Sequence, residues 1–412
     1  MEIIYKSLSK IMNISYNIQD SSLIDDIGPE KIIAIRDPKV GLESVLVIDN
    51  SAYGIPAGGV RLAPDITVDE MARLARAMSL KFASYQMKIG GAKAGIWADP
   101  KDKEKKDLLI TAFGKAIEKY ITDDIYYPGP DMNTTDEDML KIFNVIGAPE
   151  LAPNPLEMEK QGVPVEVLFT GYGVIYCLDA IHKNYSKFYE SSKDLREKPK
   201  IILEGFGKVG TGIAMSLDEL GYKLTGLSTL RGAIYDDEGL DLQRLLELRS
   251  EFGDDVVNEY ESENLIRVEK EKLFELSSEY SVDYLIPGAR PDVINETNID
   301  KIEAKAIVPA ANIPYEKGII PKLEEKNIIP FPDFVANAGE ILAILVNKVA
   351  KNADEIFEYI REKITSKTLD VLKGAKEENS SEYHFAKEFA LKELNKKLRR
   401  KKRKIEKLNK RY

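Results

Sequence analysis

The spacing of hydrophobic residues changes along the chain and predicts two kinds of element. Between residues 30 and 64, the short β-rich runs IIAIRD and SVLVID flank a turn-rich segment, which predicts strands. Over residues 71–82 the apolar positions recur at helical spacing, and the capping-box pattern at 67–70 predicts where this helix begins. The GGAK segment at 90–93 is expected to turn the chain into another strand. A second amphipathic helix is predicted over residues 103–121.

The second half of the chain alternates between strand and helix patterns. A buried-strand run at residues 200–204 is followed by the glycine loop GFGKVG and by a helical pattern over 211–220. The apolar runs VDYLIPGA, AKAIVPAAN and NIIPFPD predict further strands, and residues 335–376 are predicted to be helical. This alternation is typical of a doubly wound α/β sheet.

A proline-rich connector separates the two patterns. Residues 148–169 contain four prolines and are the best candidate for a domain boundary. We therefore predict an α/β fold with an N-terminal α/β domain over residues 1–150 and a Rossmann-type dinucleotide domain over 151–350. C-terminal helices with a basic tail are predicted over 351–412.

Composition narrows the class of protein. The chain has 412 residues, of which 43% are hydrophobic and 31% are charged, as in a soluble globular protein. No run approaches a membrane span, and the N-terminus lacks the layout of a signal peptide. The single cysteine, Cys177, fits a reducing cytoplasm, and the two histidines lie too far apart in sequence for a zinc motif. We expect a cytoplasmic protein without a membrane span or a metal site.

The glycine loop predicts a dinucleotide site. The pattern GxGxxG between a strand and a helix lets a pyrophosphate approach the N-terminus of the helix. A purely structural glycine turn is the alternative. The predicted cofactor-binding residues of this loop are Gly205, Phe206, Gly207, Lys208, Val209 and Gly210.

The end of the next predicted strand bears on the choice of cofactor. It reads Leu-Ser-Thr-Leu-Arg over residues 227–231 and lacks the carboxylate that usually bonds the ribose 2′-hydroxyl of NAD. Arg231 could instead pair with the 2′-phosphate of NADP, and Thr229 is predicted to contact the cofactor. We expect NAD or NADP, with a slight preference for NADP. Alternatively, Arg231 is solvated and either cofactor binds.

Two lysines suggest a second site. Lys81 and Lys93 stand twelve residues apart, and Lys93 follows a Gly-Gly pair that would let a ligand approach the backbone. Desolvation lowers the pKa of a lysine ammonium towards the range of acid–base catalysis. Together with Asp131, the lysines suit an amino or carbonyl substrate. From spacing alone, two solvated surface lysines are an equally good interpretation.

Seven short motifs occur in an order that resembles the glutamate/leucine/phenylalanine/valine dehydrogenase superfamily. The resemblance covers about residues 30–345. It implies reversible oxidative deamination of an L-amino acid to a 2-oxo acid and ammonia with NAD or NADP. It also implies that the first domain binds substrate and mediates a homo-oligomer, a hexamer or similar. The motifs are GGVR (58–61), MSLKFAS (78–84), GGAKAG (90–95), PGPD (128–131), GFGKVG (205–210), AAN (310–312) and ANAG (336–339).

The resemblance implies a role for each matching residue. Lys81 is similar to the lysine that binds the substrate α-carboxylate, and Lys93 and Asp131 are similar to the catalytic pair. Gly91 is similar to a glycine beside the substrate. Three further residues resemble positions near the nicotinamide and its ribose, namely Thr170, Ala311 and Asn312.

Departures from the family pattern bear on the substrate. Glutamate-specific members have a lysine just before GG-x-R and a serine five residues after ANAG, where this chain has Ala57 and Ile344. Burying the side-chain carboxylate of glutamate without a partner is costly, so we expect an apolar substrate, branched-chain or aromatic. The RDPKVGLESVLVID segment also resembles the leucine and phenylalanine members. Glutamate is the alternative substrate.

Other departures leave a different class of protein open. Ala94 and Glu340 stand where the family commonly has glycine, and the segment before FTGYGV lacks an expected Gly-Gly-Ser loop. A non-catalytic paralogue that binds or acts as a scaffold is therefore a second alternative. The retention of Lys81, Lys93 and Asp131 together argues against it.

The C-terminal tail is strongly basic. Residues 392–411 contain twelve Lys or Arg and two Glu, whereas the whole chain has a net charge of −10. We favour a helical tail that packs one stripe and solvates the rest; binding of nucleic acid is the less favoured alternative. The apolar residues at heptad a and d spacing are Leu391, Leu394, Leu398, Ile405, Leu408 and Tyr412.

Overall fold

The computed structural model describes residues 24–152, 156–189, 195–346 and 349–409, with side chains described as far as residue 400. The chain forms two compact units. Unit 1 comprises Met1–Pro155 and Phe389–Tyr412, and unit 2 comprises Leu156–Glu388.

Unit 1 is built on a five-stranded mixed sheet. Strands β1 and β2 pair antiparallel and confirm the two predicted β-rich runs. Strand β2 is almost fully buried along its length, as expected for a strand covered on both faces. The spatial order is β1-β2-β4-β3-β5, with β3 parallel to both of its neighbours. The bounds are β1 Lys31–Asp37, β2 Leu42–Asn50, β3 Pro56–Ala63, β4 Gly90–Trp97 and β5 Tyr127–Pro130.

Helices cover the sheet of unit 1. The hydroxyl of Thr67 accepts a hydrogen bond from the backbone N–H of Glu70 at 3.0 Å, so the first helix begins where the capping pattern predicts. The second predicted helix is interrupted at Ile117. Apolar residues of β2, β3, β4 and the second and fourth helices share one core. The helices are α1 Val68–Ser84, α2 Lys103–Ala116, α3 Glu118–Thr122 and α4 Asp136–Val145.

The GGAK segment is a strand, and the prediction of a turn was wrong. It forms the first half of β4, where α1 packs directly on the backbone. A Cβ atom on Gly91 would lie 2.2 Å from the Oγ of Ser79 and 2.6 Å from the carbonyl oxygen of Ala75. These glycines are therefore required by the close approach of helix and strand, which a local sequence pattern does not distinguish from a turn.

Unit 2 contains a seven-stranded sheet that follows a small hairpin of β6 Glu159–Lys160 and β7 Val163–Pro164. Five strands run parallel and two pair antiparallel at one edge. In the order β11-β10-β9-β8-β12-β13-β14, the direction of chain progression reverses between β8 and β12. This confirms the doubly wound α/β fold and identifies its switch point. The bounds are β8 Lys200–Glu204, β9 Lys223–Thr229, β10 Gly232–Tyr235, β11 Ile266–Val268, β12 Tyr284–Pro287, β13 Ala306–Ile307 and β14 Ile329–Pro330.

The longest buried helix of unit 2 is α5 Val165–Phe188, which begins inside the predicted connector. By length and composition it could cross a membrane, but 72% of its apolar window is buried within the structure, as in the core helix of a globular domain. The remaining helices are α6 Lys208–Leu220, α7 Leu242–Phe252, α8 Val256–Glu259, α9 Leu276–Tyr280, α10 Ile320–Glu325, α11 Asp333–Ala336, α12 Gly339–Val346 and α13 Ala353–Glu378.

The C-terminal helix, α14 Glu382–Asn409, carries the basic tail. Ala390 and Leu394 are buried on one side of it. On unit 1, the hydroxyl of Tyr53 donates to Glu393 at 3.3 Å, and Lys397 Nζ lies 5.0 Å from the centre of the Tyr53 ring. Leu391 and Leu398 are half-buried, whereas the side chains of Ile405, Leu408 and Tyr412 lie outside the described residues.

Candidate active site

Lys93 and Asp131 form an ion pair within unit 1. Lys93 lies in the middle of β4, and Asp131 directly follows β5; β3 runs between these two strands. The Nζ atom of Lys93 is 2.9 Å from Oδ2 of Asp131, and the lysine is only 3% exposed. Since Lys81 is also only 6% exposed, the alternative of two solvated surface lysines is wrong.

A glycine of the intervening strand makes room for this pair. A Cβ atom on Gly59 would lie 2.6 Å from Cβ of Asp131 and 3.3 Å from Nζ of Lys93. Side chains from the two flanking strands can thus meet only because β3 has no side chain at this point. The GG of GGVR in the sequence has this packing role.

Arg61 is a second cation on Asp131 that was not among the predicted site residues. Its Nε donates to Oδ2 of Asp131 at 3.0 Å, and its Nη1 pairs with the carboxylate of Glu70. Arg61 is 7% exposed and lies on β3, two residues after Gly59. The arginine of the GGVR motif was the available signal. Buried arginines are almost always paired, and its partners come from α1 and from the loop after β5.

The electrostatics of this cluster hold Asp131 in its ionised form. Burial by itself raises the pKa of the Asp131 carboxyl, but the charges of Lys93 and Arg61 outweigh it, so the pKa lies well below its usual range. Burial, and then the Asp131 charge, raises the pKa of Tyr126, whose hydroxyl donates to the carbonyl of Gly58 at 2.8 Å. Asp131 is therefore a permanent hydrogen-bond acceptor at ordinary pH.

The backbone of Asp131 is also fixed. Its N–H donates to the hydroxyl of Thr134 at 2.9 Å, and that hydroxyl donates to the carbonyl of Val60 at 2.7 Å. Thr134 thus ties the loop after β5 to the neighbouring strand β3. Sequence reasoning missed this residue, because a threonine in a polar loop carries no pattern of its own.

Lys81, Gly91 and Ala57 lie around the contact between α1 and β4. Lys81 is in the last turn of α1 and is 6% exposed. Ser79 of α1 contacts Gly91 of β4. Each lysine comes two residues after one of these contact residues, Lys81 after Ser79 and Lys93 after Gly91. Ala57 is half-buried on β3 and is the direct partner of Gly91 across the sheet. The structure therefore places these predicted substrate residues on elements that pack against one another.

The buried carboxylate of Asp49 pairs with two residues of α1 near this contact. Both carboxylate oxygens of Asp49 accept hydrogen bonds from Nε of Arg76, at 2.9 and 3.0 Å, and the hydroxyl of Ser79 also donates to Asp49. Burial raises the pKa of Asp49, while Arg76 and Ser79 oppose that rise. Asp49 comes at the end of the apolar strand β2 and was not predicted from the sequence.

In unit 2, each glycine of the GFGKVG loop has its own structural role. Gly205 has φ +87°, a left-handed conformation that favours glycine, and its N–H donates to the carbonyl of Ser228 at 3.1 Å. A Cβ atom on Gly210 would lie 2.8 Å from the carbonyl oxygen of Gly205. Gly207 differs, because a Cβ atom there would meet nothing within 4 Å. The space before the N-terminus of α6 is therefore open to a ligand.

The other residues of the loop divide by burial. Phe206 is buried, so any contact of this residue with a cofactor is through its backbone, whereas Lys208 is exposed and Val209 is half-buried. Gly207 is the N-cap of α6 and offers no side-chain cap to the first turn. The backbone N–H groups there suit an anion such as a pyrophosphate.

A carboxylate also ties the two strands at the switch point. Oε2 of Glu204, at the end of β8, accepts hydrogen bonds from the N–H groups of Gly288 and Ala289 at 3.2 and 3.1 Å. Burial raises the pKa of Glu204, and these hydrogen bonds oppose that rise. The sequence predicts Glu204 only as the end of a buried strand.

Thr229 and Arg231 contact two acidic residues that are distant from them in the sequence. The hydroxyl of Thr229 donates to the carbonyl of Asp254 at 2.7 Å and accepts from the N–H of Arg231 at 3.1 Å. Nε of Arg231 is 3.5 Å from Oδ2 of Asp255, and the arginine is 61% exposed. The strand end therefore has a carboxylate nearby, but it comes from the short 3₁₀ helix Gly253–Asp255, 24 residues after Arg231 in the chain.

The ANAG motif brings the predicted nicotinamide residues close to α5. Nδ2 of Asn337 donates to the carbonyl of Ala311 at 3.2 Å and to Oδ1 of Asn312 at 3.1 Å. A Cβ atom on Gly339 would lie 1.9 Å from the carbonyl oxygen of Phe169 and 3.1 Å from Cα of Thr170. Thr170, Ala311 and Asn312 are thus all held by one short segment. Asn337 lies in the ANAG motif, but no local pattern predicts this contact.

The predicted site residues divide between the two units. Lys81, Gly91, Lys93, Asp131 and Ala57 belong to unit 1, and the remainder belong to unit 2. Ile344 is on α12 and is 56% exposed, and Glu340 is exposed at the start of the same helix. Across the part of the chain that the structure describes, no group of three or more His, Cys, Asp or Glu could hold a metal ion.

Two family models match the chain. A model described as Glutamate/Leucine/Phenylalanine/Valine dehydrogenase matches residues 162–401, and one described as Glu/Leu/Phe/Val dehydrogenase, dimerisation domain, matches residues 29–146. Together they span both units.

Known relatives match over most of the chain. It is 32% identical over 334 residues to the NADP-specific glutamate dehydrogenase of Saccharolobus shibatae, which covers 77% of this chain and 75% of that protein. It is 29% identical over 330 residues to the NAD-specific glutamate dehydrogenase of Staphylococcus aureus, which covers 76% and 75%.

Solved structures share the fold. The hetero-hexameric glutamate dehydrogenase from Thermus thermophilus, in its Leu-bound form, superposes with a TM-score of 0.76 at 22% identity and covers 96% of this chain and 94% of that one. The L-tryptophan dehydrogenase from Nostoc punctiforme gives a TM-score of 0.60 at 22% identity, with 90% and 98% covered.

Proposed function

Because the chain belongs to the glutamate/leucine/phenylalanine/valine dehydrogenase family, we propose that its substrate is an apolar L-amino acid, branched-chain or aromatic. As a member of this family it is an oxidoreductase that acts on the CH–NH₂ group of an amino acid with NAD or NADP. The proposed reaction consumes the amino acid, NAD(P)⁺ and water and yields the 2-oxo acid, an ammonium ion, NAD(P)H and a proton.

The observation that carries the substrate proposal is the alanine at position 57, where glutamate-specific members have a lysine for the second carboxylate. Ala57 is half-buried opposite Gly91, and the arginine of the same strand, Arg61, already pairs with Asp131 and Glu70. A glutamate side chain placed there would lose its hydration without gaining an ion pair. Ile344, at the other position that distinguishes glutamate members, is apolar and exposed.

The residues of unit 1 suggest how the chemistry is divided. Lys81 would bind the α-carboxylate, and Asp131, which stays ionised, would accept a hydrogen bond or proton from the α-amino group. Lys93 would handle the proton as water adds to the imine and ammonia leaves. When bound, NAD or NADP supplies the acceptor for the hydride that leaves Cα.

The open space around Gly207 supports binding of the dinucleotide through its pyrophosphate. For the choice of cofactor we keep a slight preference for NADP. The exposed guanidinium of Arg231 would attract a 2′-phosphate, whereas Asp255, which lies 3.5 Å from it, would weaken that attraction. We expect activity with both cofactors.

A kinetic panel tests the proposal. Leucine, valine, phenylalanine, tryptophan and glutamate are each assayed with NAD and with NADP, in both directions of the reaction. We expect kcat/KM to be highest for an apolar amino acid. A kcat/KM for glutamate above all of the others would overturn the substrate proposal.

Glutamate dehydrogenase is the second candidate, because both relatives quoted above carry that name. Ala57→Lys tests it within the same panel. If apolar substrates are preferred, the added ammonium should raise kcat/KM for glutamate and lower it for leucine. A non-catalytic paralogue is less well supported, because Lys93 and Asp131 are retained at ion-pair distance and Ala94 fits fully buried in β4.

We also propose roles for the larger parts of the chain. Residues 1–150 would bind substrate and mediate a homo-oligomer, a hexamer or similar, and 151–350 would bind the dinucleotide. The match to a dimerisation-domain model supports self-association, which light scattering coupled to size exclusion can measure. For residues 351–412 we keep the proposal of C-terminal helices that end in a basic tail packed along one stripe, since Ala390 and Leu394 are buried. We propose that the protein is cytoplasmic.

A further inference from the structure

Two cations share one oxygen of the Asp131 carboxylate. Nζ of Lys93 lies 2.9 Å from Oδ2, and Nε of Arg61 lies 3.0 Å from the same atom. Both of these contacts are made to Oδ2 and neither is made to Oδ1. The side chain of Asp131 is 17% exposed, so the carboxylate is not completely closed off from solvent.

We propose that Arg61 is a positioning residue, which fixes the Asp131 carboxylate through Oδ2 so that Oδ1 is presented to the substrate amine. The proposal rests on the proposed function in one respect, since that amine is the group the reaction deprotonates. The rotation of an aspartate carboxylate about its last bond is otherwise broadly permitted. A single bond from Lys93 would leave that rotation poorly defined.

The second contact of Arg61 explains why an arginine is needed. Its Nε and Nη1 reach two different carboxylates, Asp131 and Glu70, which lie on separate parts of the fold. A planar guanidinium offers several donors in a fixed geometry, whereas the ammonium of a lysine is a compact point charge. Glu70 lies in the first turn of α1, where the Thr67 cap fixes the helix start. Asp131 and Glu70 together therefore fix the position of the Arg61 guanidinium.

The charged and titratable groups that face Asp131 give the expected pH dependence. They are Arg61 on β3, Lys93 on β4, Glu70 on α1 through Arg61, and Tyr126 before β5. Burial alone raises the pKa of Asp131, and Lys93 and Arg61 together bring it below the usual range. Loss of Arg61 removes one of these cations, so the pKa of Asp131 should rise.

The test uses Arg61→Gln and Arg61→Lys in the full-length enzyme, assayed with the best amino acid of the panel. Because misplacement of a reacting group by about 1 Å can cost on the order of 10²-fold, we expect Arg61→Gln to lower kcat by roughly 10- to 100-fold. KM for the cofactor should be unchanged. Since the ionised carboxylate is the active form, the acid limb of the kcat/KM profile should move to higher pH.

Matched controls separate positioning from folding. Arg36→Gln removes an exposed arginine that pairs with Glu43 at 3.5 Å on β1 and β2, and should leave the profile unchanged. Arg61→Lys keeps a charge near Asp131 and should preserve the acid limb better than Arg61→Gln, with a smaller loss of kcat. Added guanidinium should partly restore Arg61→Gln. An unmoved acid limb with kcat within twofold of wild type, in a variant that melts as wild type, would overturn the proposal.

A readout that needs no turnover separates this proposal from the proposed function. Selective ¹³C labelling of aspartate, with Asp131→Asn to assign the resonance, follows titration of the Asp131 carboxyl in the free protein. If the wild type deaminates none of the amino acids, the proposed function fails, yet a higher titration midpoint in Arg61→Gln would still support the contact. An equal midpoint in both proteins would reject the role of Arg61.

Discussion

In unit 1 the glycines of β3 and β4 are surrounded by the protein's own atoms, whereas in unit 2 Gly207 faces open space. A Cβ atom on Gly59 would collide with Asp131, and one on Gly91 would collide with Ser79. A Cβ atom on Gly207 would meet nothing within 4 Å. The first site thus uses glycine to bring charged side chains together, and the second uses it to leave room before a helix N-terminus.

The two candidate sites also differ in the polar groups that they would offer to a ligand. In unit 1 the polar groups are side chains, and two buried cations hold one carboxylate ionised. In unit 2 the groups at the loop are backbone N–H donors, and of the neighbouring side chains Phe206 is buried and Lys208 is exposed. Substitutions that remove a side chain should therefore reduce activity most in unit 1. In unit 2, adding a side chain to a glycine of the loop should test its role.

The largest expected effect is removal of the charged pair. Because general acid–base catalysis contributes about 10²–10⁴-fold, Lys93→Ala or Asp131→Asn should lower kcat by at least that order. Binding of NAD or NADP, measured by calorimetry, should be unchanged, since both residues lie in unit 1. A Lys93→Ala enzyme with wild-type kcat would reject the assignment of this residue.

A smaller loss is expected from Gly59→Ala, which leaves every charge in place. The added methyl would lie 2.6 Å from Cβ of Asp131 and 2.7 Å from the carbonyl oxygen of Pro130, so the strands must separate. Misplacement of this kind should lower kcat by about 10²-fold at most. Steady-state kinetics and thermal melting measure it together. An unchanged kcat would show that the distance between Lys93 and Asp131 does not matter.

The smallest effect is expected from Gly207→Ala, which also serves as the matched control for Gly59→Ala. The added methyl meets no protein atom, so the melting temperature should not change. It would hinder a pyrophosphate that approaches the N–H groups of α6, and weakening of one hydrogen bond should raise KM for the cofactor roughly two- to tenfold. An unchanged KM would mean that the phosphate binds elsewhere.

Much of the fold could be predicted because its signals are local. The β-rich runs of β1 and β2, the helical spacing of α1 and its Thr67 cap depend on residues within a few positions of one another. The glycine loop was recognised for the same reason, since strand, loop and helix are consecutive in the chain. The prediction of a turn at the GGAK segment was wrong, because tight packing on another element and a turn both require glycine.

The sequence by itself determined the family, the order of elements and the identity of Lys93 and Asp131 as candidates, because motifs and periodicity are written along the chain. Only the tertiary structure decided that these two meet across β3, and that Arg61 shares their contact. It also decided that Asp255 lies beside Arg231 and that Asn337 holds Ala311 and Asn312. These partners are between about 24 and 70 residues apart, and no local pattern specifies which distant groups the packing of sheets and helices brings into contact.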